Sequence, residues 1–331
     1  MQCPANRTDG EFVDNTIALR VERIDPITPR VRRMLLVSDS GAPLPMYEPG
    51  AHIELHVPAS GRAPAMRRAY SLVRPADGGR HYEIAVQLEE QGSGGSRWVH
   101  QLREGQRLTA SGPRNEFPLR GAAQRPLLLA GGIGITPILS MALHLQQQGQ
   151  AFDMHFVARE ASQAAYAAEV HALPNARCWF DGGDPSQGIA LTEVIGAPTP
   201  GRHLHVCGPK GFIAAVLETA NQLGWAAEAL HCELFTGALA SAEDRPFTVE
   251  LSASGMKVDV AVGQTVLEAM EAAGLDPLFD CRRGDCGICV AKVLGGEADH
   301  RDICLSARER ESGSFCICVS RARSDQLVLD L

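Results

Sequence analysis

A chain of 331 residues exceeds one ordinary domain of about 100–150 residues, so two or three domains are expected. Its net charge of −8 argues against nucleic acid or an anionic membrane surface as the main partner. No stretch approaches the roughly 20 apolar residues of a spanning helix, and the opening MQCPANRTDGE has no apolar signal core, so a cytoplasmic protein is expected.

Residues 16–112 read as short strands (IALRVERI, VRRMLLVS, HIELHVP, RRAYSLV, HYEIAVQLEE, QRLTASGP) separated by Pro- and Gly-rich breaks. In HIELHV, Ile53, Leu55 and Val57 fall on one face. Even spacing of such strands predicts a closed or nearly closed antiparallel barrel. Two motifs stand out. Arg68-Ala69-Tyr70-Ser71-Leu72 suits a flavin, because an aromatic can cover an apolar ring edge while Arg and Ser bond phosphate or ring oxygens. Gly92-Ser93-Gly94-Gly95-Ser96 opens the helix RWVHQL, and a glycine-rich turn there presents free N–H groups to a phosphate. Alone, an ordinary strand and a flexible loop with a helix cap explain them as well.

After Pro118, strands alternate with helices: RPLLLAGG, ITPILSMALHLQQQ, FDMHFVARE, AAYAAEVHAL, RCWFDGG, ALTEVIG, HLHVCGP and KGFIAAVLETANQLG. That order predicts a parallel, doubly wound sheet. Gly131, Gly132, Thr136 and Pro137 lie in AGGIGITP, which ends an apolar strand and opens a helix where a pyrophosphate can approach the backbone. It is not the G-x-G-x-x-G fingerprint. Cys207-Gly208-Pro209 occupies a second strand end, and two such ends meet where a dinucleotide lies. Arg159 and Asp181 close strands where an adenosine ribose fits; a carboxylate at 181 repels a 2′-phosphate and favours NADH.

Beyond a small polar stretch at 237–246, FTVELSASGMKVDVAV reads as a hairpin and QTVLEAMEAAGL as a helix, so residues 247–331 form a small α+β domain. It carries 14 Asp and Glu against 9 Lys and Arg, net −5, which fits either an acidic face for a basic protein or plain solubility. Seven of the ten cysteines follow residue 231, a clustering that favours metal or redox chemistry over disulfides. Cys281-x4-Cys286-x2-Cys289, then 28 intervening residues and Cys318, is plant-type [2Fe–2S] spacing. Structural zinc is the competing reading, but it usually combines two Cys-x2-Cys pairs. The spacing leaves the fourth thiol open between Cys318 and Cys316, two residues apart on one predicted strand, with Cys304 nearer in sequence. Cys3, Cys178, Cys232 and Cys304 otherwise read as free, buried thiols.

The sequence FDCRRGDCGICVAKVLGGEADHRDICLS with FCICVSRA, the flavin motifs flanked by EPGAH and SGPRNEFPL, and the order GGIGITP then CGP resemble the phthalate dioxygenase reductase family from about residue 12 to the C-terminus. The resemblance implies a multidomain chain: an antiparallel β-barrel flavin domain (10–118), an α/β doubly wound NAD-binding domain (119–236), a linker (237–246) and a β-grasp ferredoxin domain (247–331). It selects Cys318 as fourth ligand and makes Cys304 a core substitution. It implies FMN on the Gly94-Gly95-Ser96 turn, other branches using FAD. Ile84, Ala85 and Val86 join the cofactor-binding set. Glu233 and Phe235, in HCELFTG, match a place where the family sets a Glu and an aromatic near flavin and nicotinamide, although a surface Glu and a core Phe fit the same string. Ser71, Cys207, Glu233 and Phe235 form the candidate catalytic set, with Cys207 a positioning thiol, since hydride transfer needs no nucleophile. A flavin joins a two-electron hydride donor to a one-electron cluster. The implied function is the NADH-dependent reductase of a separate Rieske non-haem iron oxygenase acting on aromatic acids; a cytochrome P450 or quaternary-amine oxygenase is the alternative acceptor, and a redox sensor without turnover the alternative class. A monomer is expected, with Arg282, Arg283 and Asp285 on the docking face.

Overall fold

The computed structural model describes residues 16–59, 65–90, 92, 94–235, 243–279 and 282–331. The chain divides into two compact units, Met1–Cys207 with Thr219–His231, and Gly208–Glu218 with Cys232–Leu331.

In the first unit, β1 (Thr16–Pro26), β2 (Val31–Ser38), β3 (His52–Val57), β4 (Met66–Ser71), β5 (Tyr82–Gln87) and β6 (Arg107–Arg114) form one antiparallel sheet in the order β4-β3-β6-β1-β2-β5. Alternation sends Leu19, Val21, Met34, Leu36, Ile53, Leu55, Ile84 and Val86 into a common core. The two end strands, β4 and β5, approach each other, so the sheet curls into a barrel whose seam lies between them. Helix α1 (Gly95–Gln101) follows β5.

The same unit continues with β7 (Leu127–Gly131), α2 (Ile135–Gln147), β8 (Asp153–Ala158), α3 (Ala167–Ala172), β9 (Ala176–Phe180), α4 (Leu191–Ile195) and β10 (Leu204–Cys207); α5 (Lys210–Gln222) and β11 (Leu230–Glu233) follow, each divided between the two units. The sheet order is β11-β10-β7-β8-β9, and β10, β7, β8 and β9 are parallel. β7 reads LLLAG and is buried throughout, as a central parallel strand must be. Strand order reverses between β7 and β10, which opens a crevice at their carboxyl ends. The helix predicted over AAYAAEVHAL is confined to Ala167–Ala172. Tyr166 adopts φ 64°, and its hydroxyl donates to the buried Glu83 carboxylate at 2.9 Å.

The second unit holds β12 (Phe247–Leu251), β13 (Met256–Val260), α6 (Val266–Ala272), β14 (Val290–Gly295), β15 (Ala298–Asp299), α7 (Ala307–Glu311), β16 (Ser314–Cys316), β17 (Arg321–Ala322) and β18 (Gln326–Leu329). Its five-stranded sheet runs β13-β12-β18-β14-β16, with β12 and β18 parallel, and β15 pairs β17 beside it. Thr265 starts α6 with a capping box: its hydroxyl accepts from Glu268 N–H, and Glu268 accepts from Thr265 N–H. Val266, Leu267, Ala269 and Met270 then bury against Val249, Val258, Phe315 and Leu327. Each large side chain so buried contributes about 1.5–3 kcal/mol. A helix clasped on a mixed sheet is the β-grasp arrangement, and it carries the cysteine loop between α6 and β14.

Candidate functional site

The two flavin motifs come together at the barrel. β4 holds Arg68, Ala69, Tyr70 and Ser71, and a Cβ built on Gly95 would sit 2.8 Å from Arg68 Cγ. The Arg68 stem therefore lies on bare backbone at the start of α1, a cradle that any larger residue would fill. Gly94 precedes it at φ 100°, and Ser96 Oγ accepts from Glu89 N–H at 3.0 Å, pinning the turn. Ser93 lies outside the described residues. Tyr70 packs on the barrel core, and burial pushes its phenol up to about 12. Ile84 and Val86 sit inside the barrel core and Ala85 in the neighbouring one, so β5 can offer a ligand its edge backbone rather than these side chains. A guanidinium, bare helix-start backbone and an amphipathic ring at a sheet seam fit a flavin phosphate and ring.

Sequence reasoning missed a cluster beside this seam. Arg74 bonds Glu83 at 3.2 Å and Glu169 at 3.1 Å, and Tyr166 closes the group on Glu83. It fastens β5 to α3. The signal was a charged residue, Glu83, in an otherwise apolar strand.

At the carboxyl edge of the parallel sheet, register places Cys207 abreast of Ala130, Gly131 abreast of Val157, and Ala158 abreast of Phe180. Gly131, Gly132, Cys207, Arg159 and Asp181 thus end four adjacent strands. Thr136 is buried and spends its hydroxyl on Ile133 O at 3.1 Å, while Pro137 is buried in the first turn of α2. Cys207 is fully buried in the core, which fits a positioning thiol and not a nucleophile. Asp181 Oδ1 accepts from Gly183 N–H at 2.8 Å, so the carboxylate is fixed by its own turn, and Arg159 is exposed. His203, His205 and His231 stack beside β10 and β11, with His203 Nδ1 2.8 Å from His231 Nε2. Burial, then the His231 and His203 neighbours, pushes His205 down to about 3; burial, then His203, pushes His231 to about 4.

In the second unit, Gly208 and Pro209 lead into α5, and Glu233 and Phe235 show the reverse of the bland expectation. Glu233 is 3% exposed and Phe235 is 40% exposed. A buried carboxylate with a half-bare ring fits a site better than a core.

The cysteine loop is built for sulfur ligation. Cys289 and Cys318 are buried, Cys286 is exposed, and Cys281 lies outside the described residues. Gly284 adopts φ 79°, and a Cβ there would meet Val319 Cγ2 at 2.5 Å. Its carbonyl accepts from Ile303 and Cys304 N–H, which folds the loop onto the segment before α7. Three thiols on one tightly turned, glycine-relieved loop and the turn after β16 fit a soft iron–sulfide centre.

Three expectations change here. β16 stops at Cys316, so Cys318 lies in the following turn and not on the same strand. Cys316 Sγ contacts Cys304 Sγ at 3.4 Å; its bonds with Cys289 and Cys304, then burial, push this thiol up. Asp285 faces inward, its side chain 6% exposed, and accepts from Leu234 N–H at 3.3 Å, while Arg283 pairs with it. Only Arg282 stays on the surface, paired with Glu271 and stacked 4.1 Å over Phe279.

No helix among the described residues is long and apolar enough to cross a membrane. Residues 249–323 match the 2Fe-2S iron-sulfur cluster binding domain family. Vanillate O-demethylase oxidoreductase of a Pseudomonas sp. is 41% identical over 301 residues, covering 89% of this chain and 93% of that protein. The carnitine monooxygenase reductase subunit of Escherichia coli is 38% identical over 319 residues, covering 95% and 98%. A solved structure of phthalate dioxygenase reductase, described as modular for electron transfer from pyridine nucleotides to [2Fe–2S], matches at TM-score 0.70 and 34% identity over 96% of this chain and 98% of that one. With barrel, parallel sheet and β-grasp domain in the same order along nearly the whole length, this chain belongs to the phthalate dioxygenase reductase family.

Proposed function

We propose that this protein oxidises NADH and passes the electrons through FMN and a [2Fe–2S] cluster to a separate Rieske non-haem iron oxygenase, which hydroxylates or O-demethylates an aromatic acid. The observation that carries this is the extent of the likeness to vanillate O-demethylase oxidoreductase, 89% of this chain and 93% of that one, because it spans all three modules together. When bound, the flavin supplies the conversion between a hydride donor and one-electron acceptors, and the cluster supplies the one-electron exit.

The chain's own residues bind and orient. Arg68 and the backbone opening α1 hold the FMN phosphate, a charge-assisted pairing that bare backbone at Gly95 lets come close. Tyr70 and Ser71 bound the ring side. Gly131, Gly132 and the start of α2 receive the dinucleotide pyrophosphate, Cys207 shapes the floor of the crevice, and Asp181 selects an unphosphorylated ribose. Gly208 and Pro209 stand at the turn that leads into α5. Phe235 supplies a half-exposed aromatic surface, and Glu233 a buried carboxylate that can hold or accept a proton. Cys281, Cys286, Cys289 and Cys318 hold the cluster. The protein is proposed to act as a monomer, with residues 10–118, 119–236 and 247–331 as its flavin, NAD and ferredoxin modules.

The test is NADH turnover with a dye, followed by reconstitution with oxygenase components. Product formation with an aromatic O-demethylase oxygenase is expected, and the flavin released on denaturation should be FMN. NADH turnover without product with any aromatic-acid oxygenase overturns the partner. A second reading, a quaternary-amine oxygenase as acceptor, is favoured by the 38% identity to the carnitine monooxygenase reductase subunit. The same screen separates the two.

A further inference from the structure

The cysteine loop is walled by two thiols outside the proposed ligand set. Cys304 Sγ and Cys316 Sγ lie 3.4 Å apart. Cys316 is fully buried at the end of β16, and Cys304 is partly exposed ahead of α7. Both backbones are fixed. Cys304 N–H donates to Gly284 O, Cys316 pairs with Val290 on β14, and Cys316 O accepts from Ser320 N–H. A Cβ on Gly287 would lie 3.9 Å from Cys304 Sγ, so the pair packs directly beside the ligand loop.

Asp302 brings a third donor, its oxygen within 4.8 Å of both sulfurs, which raises the option of a metal. That carboxylate is already spent: it accepts from Ser320 Oγ at 3.2 Å, Leu305 N–H at 3.1 Å and Arg310 at 3.0 Å. Chemistry that needs only the two sulfurs suits the site better. Cys289 also bonds Cys316, but as an iron ligand it is committed, which leaves Cys304 as the partner.

We propose that Cys304 and Cys316 form a reversible disulfide under peroxide, a redox modification site separate from the cluster. This rests on the reading that Cys281, Cys286, Cys289 and Cys318 are the ligands. A disulfide bond is about 2.05 Å long, so the sulfurs close by roughly 1.4 Å, within reach of side-chain rotation. Cys304, the less buried residue of the two, attacks one oxygen of hydrogen peroxide. The O–O bond breaks, the other oxygen leaves with the thiol proton as water, and Cys304 becomes a sulfenic acid. Cys316 then attacks Cys304 Sγ; the S–O bond breaks, and the hydroxyl leaves with the Cys316 proton as a second water. Two thiols lose two electrons and peroxide gains them. A dithiol reductant reverses the bond by exchange.

The test uses cluster-loaded full-length protein, treated with hydrogen peroxide at a few equivalents, alkylated under denaturing conditions and mapped by mass spectrometry without reduction. A peptide pair joining Cys304 to Cys316 and lighter by two hydrogens is expected, with both thiols recovered after dithiothreitol. Cys304→Val and Cys316→Val should abolish the cross-link while keeping wild-type iron and sulfide content, with melting curves confirming that each is folded. Peroxide that leaves Cys304 alkylatable, or takes it to the sulfinic acid without a cross-link, overturns the proposal while leaving the ligand reading intact. Loss of iron from a folded Cys304→Val or Cys316→Val protein makes that residue a ligand and overturns both.

Discussion

Asp285 Oδ2 accepts a hydrogen bond from Leu234 N–H at 3.3 Å, joining the cysteine loop to the strand end that carries Glu233 and Phe235. One residue from Cys286, a carboxylate expected on the surface is turned inward to satisfy a buried backbone donor beside Phe235. Leu234 is itself 2% exposed, so water cannot replace that acceptor.

Removing the acceptor should therefore cost more than a surface charge. Asp285→Ala is expected to lower stability by about 1–3 kcal/mol, the penalty for a stranded buried N–H, and Asp285→Asn by less, because its amide oxygen can still accept. Denaturant unfolding measures both. NADH-driven reduction of a one-electron acceptor that draws on the cluster should fall several-fold in Asp285→Ala and recover in Asp285→Asn.

The Arg68 cradle depends on the missing side chain at Gly95. Gly95→Val places carbon where the Arg68 stem lies, 2.8 Å away, and should weaken flavin binding by at least about tenfold, the loss of one charge-assisted phosphate contact. Fluorescence titration of the flavin-stripped protein reads the change, and the melting curve separates it from misfolding.

The ligand set predicts a sharp contrast between neighbouring thiols. Cys318→Ser should lose the cluster absorption and acid-labile sulfide, while Cys316→Ser and Cys304→Ser keep them. Bleaching of Cys316→Ser instead moves the fourth ligand to the end of β16.

Coenzyme choice should follow the carboxylate at the end of β9. Asp181→Asn removes the repulsion toward a 2′-phosphate and keeps an acceptor for Gly183 N–H, so the turn stands. The ratio of kcat/KM for NADPH over NADH is expected to rise about tenfold or more.

The stacked histidines set an acid limit on the fold. His205 and His231 titrate at about 3 and about 4 in the folded chain, below the unfolded value of about 6.5. The unfolded state therefore binds more protons below about pH 6.5, and stability falls as pH drops from there toward 4. Each histidine contributes a slope of at most about 1.4 kcal/mol per pH unit. Unfolding midpoints at pH 7 and pH 5 should differ, and His231→Gln should flatten the dependence.

Much of this was legible in the order of residues. Apolar alternation gave the six barrel strands nearly end for end, and the unbroken LLLAG gave the central parallel strand, because burial on one or both faces writes a period directly into the chain. Cysteine spacing carried its own meaning, since ligation by one loop is a local constraint. What the sequence left open were choices between residues close in sequence but different in surroundings. Glu233 and Phe235 could be read as surface and core; the fold puts them the other way round. Cys316 and Cys318 looked equivalent until β16 ended at the first of them and turned the second out of the strand. Asp285 looked like an exposed charge until Leu234 supplied a donor 51 positions away. The run Cys281, Cys286 and Cys289 was legible in local spacing, whereas burial, hydrogen-bond partners and the Cys304–Cys316 contact depend on segments far apart in sequence, which only tertiary packing brings together.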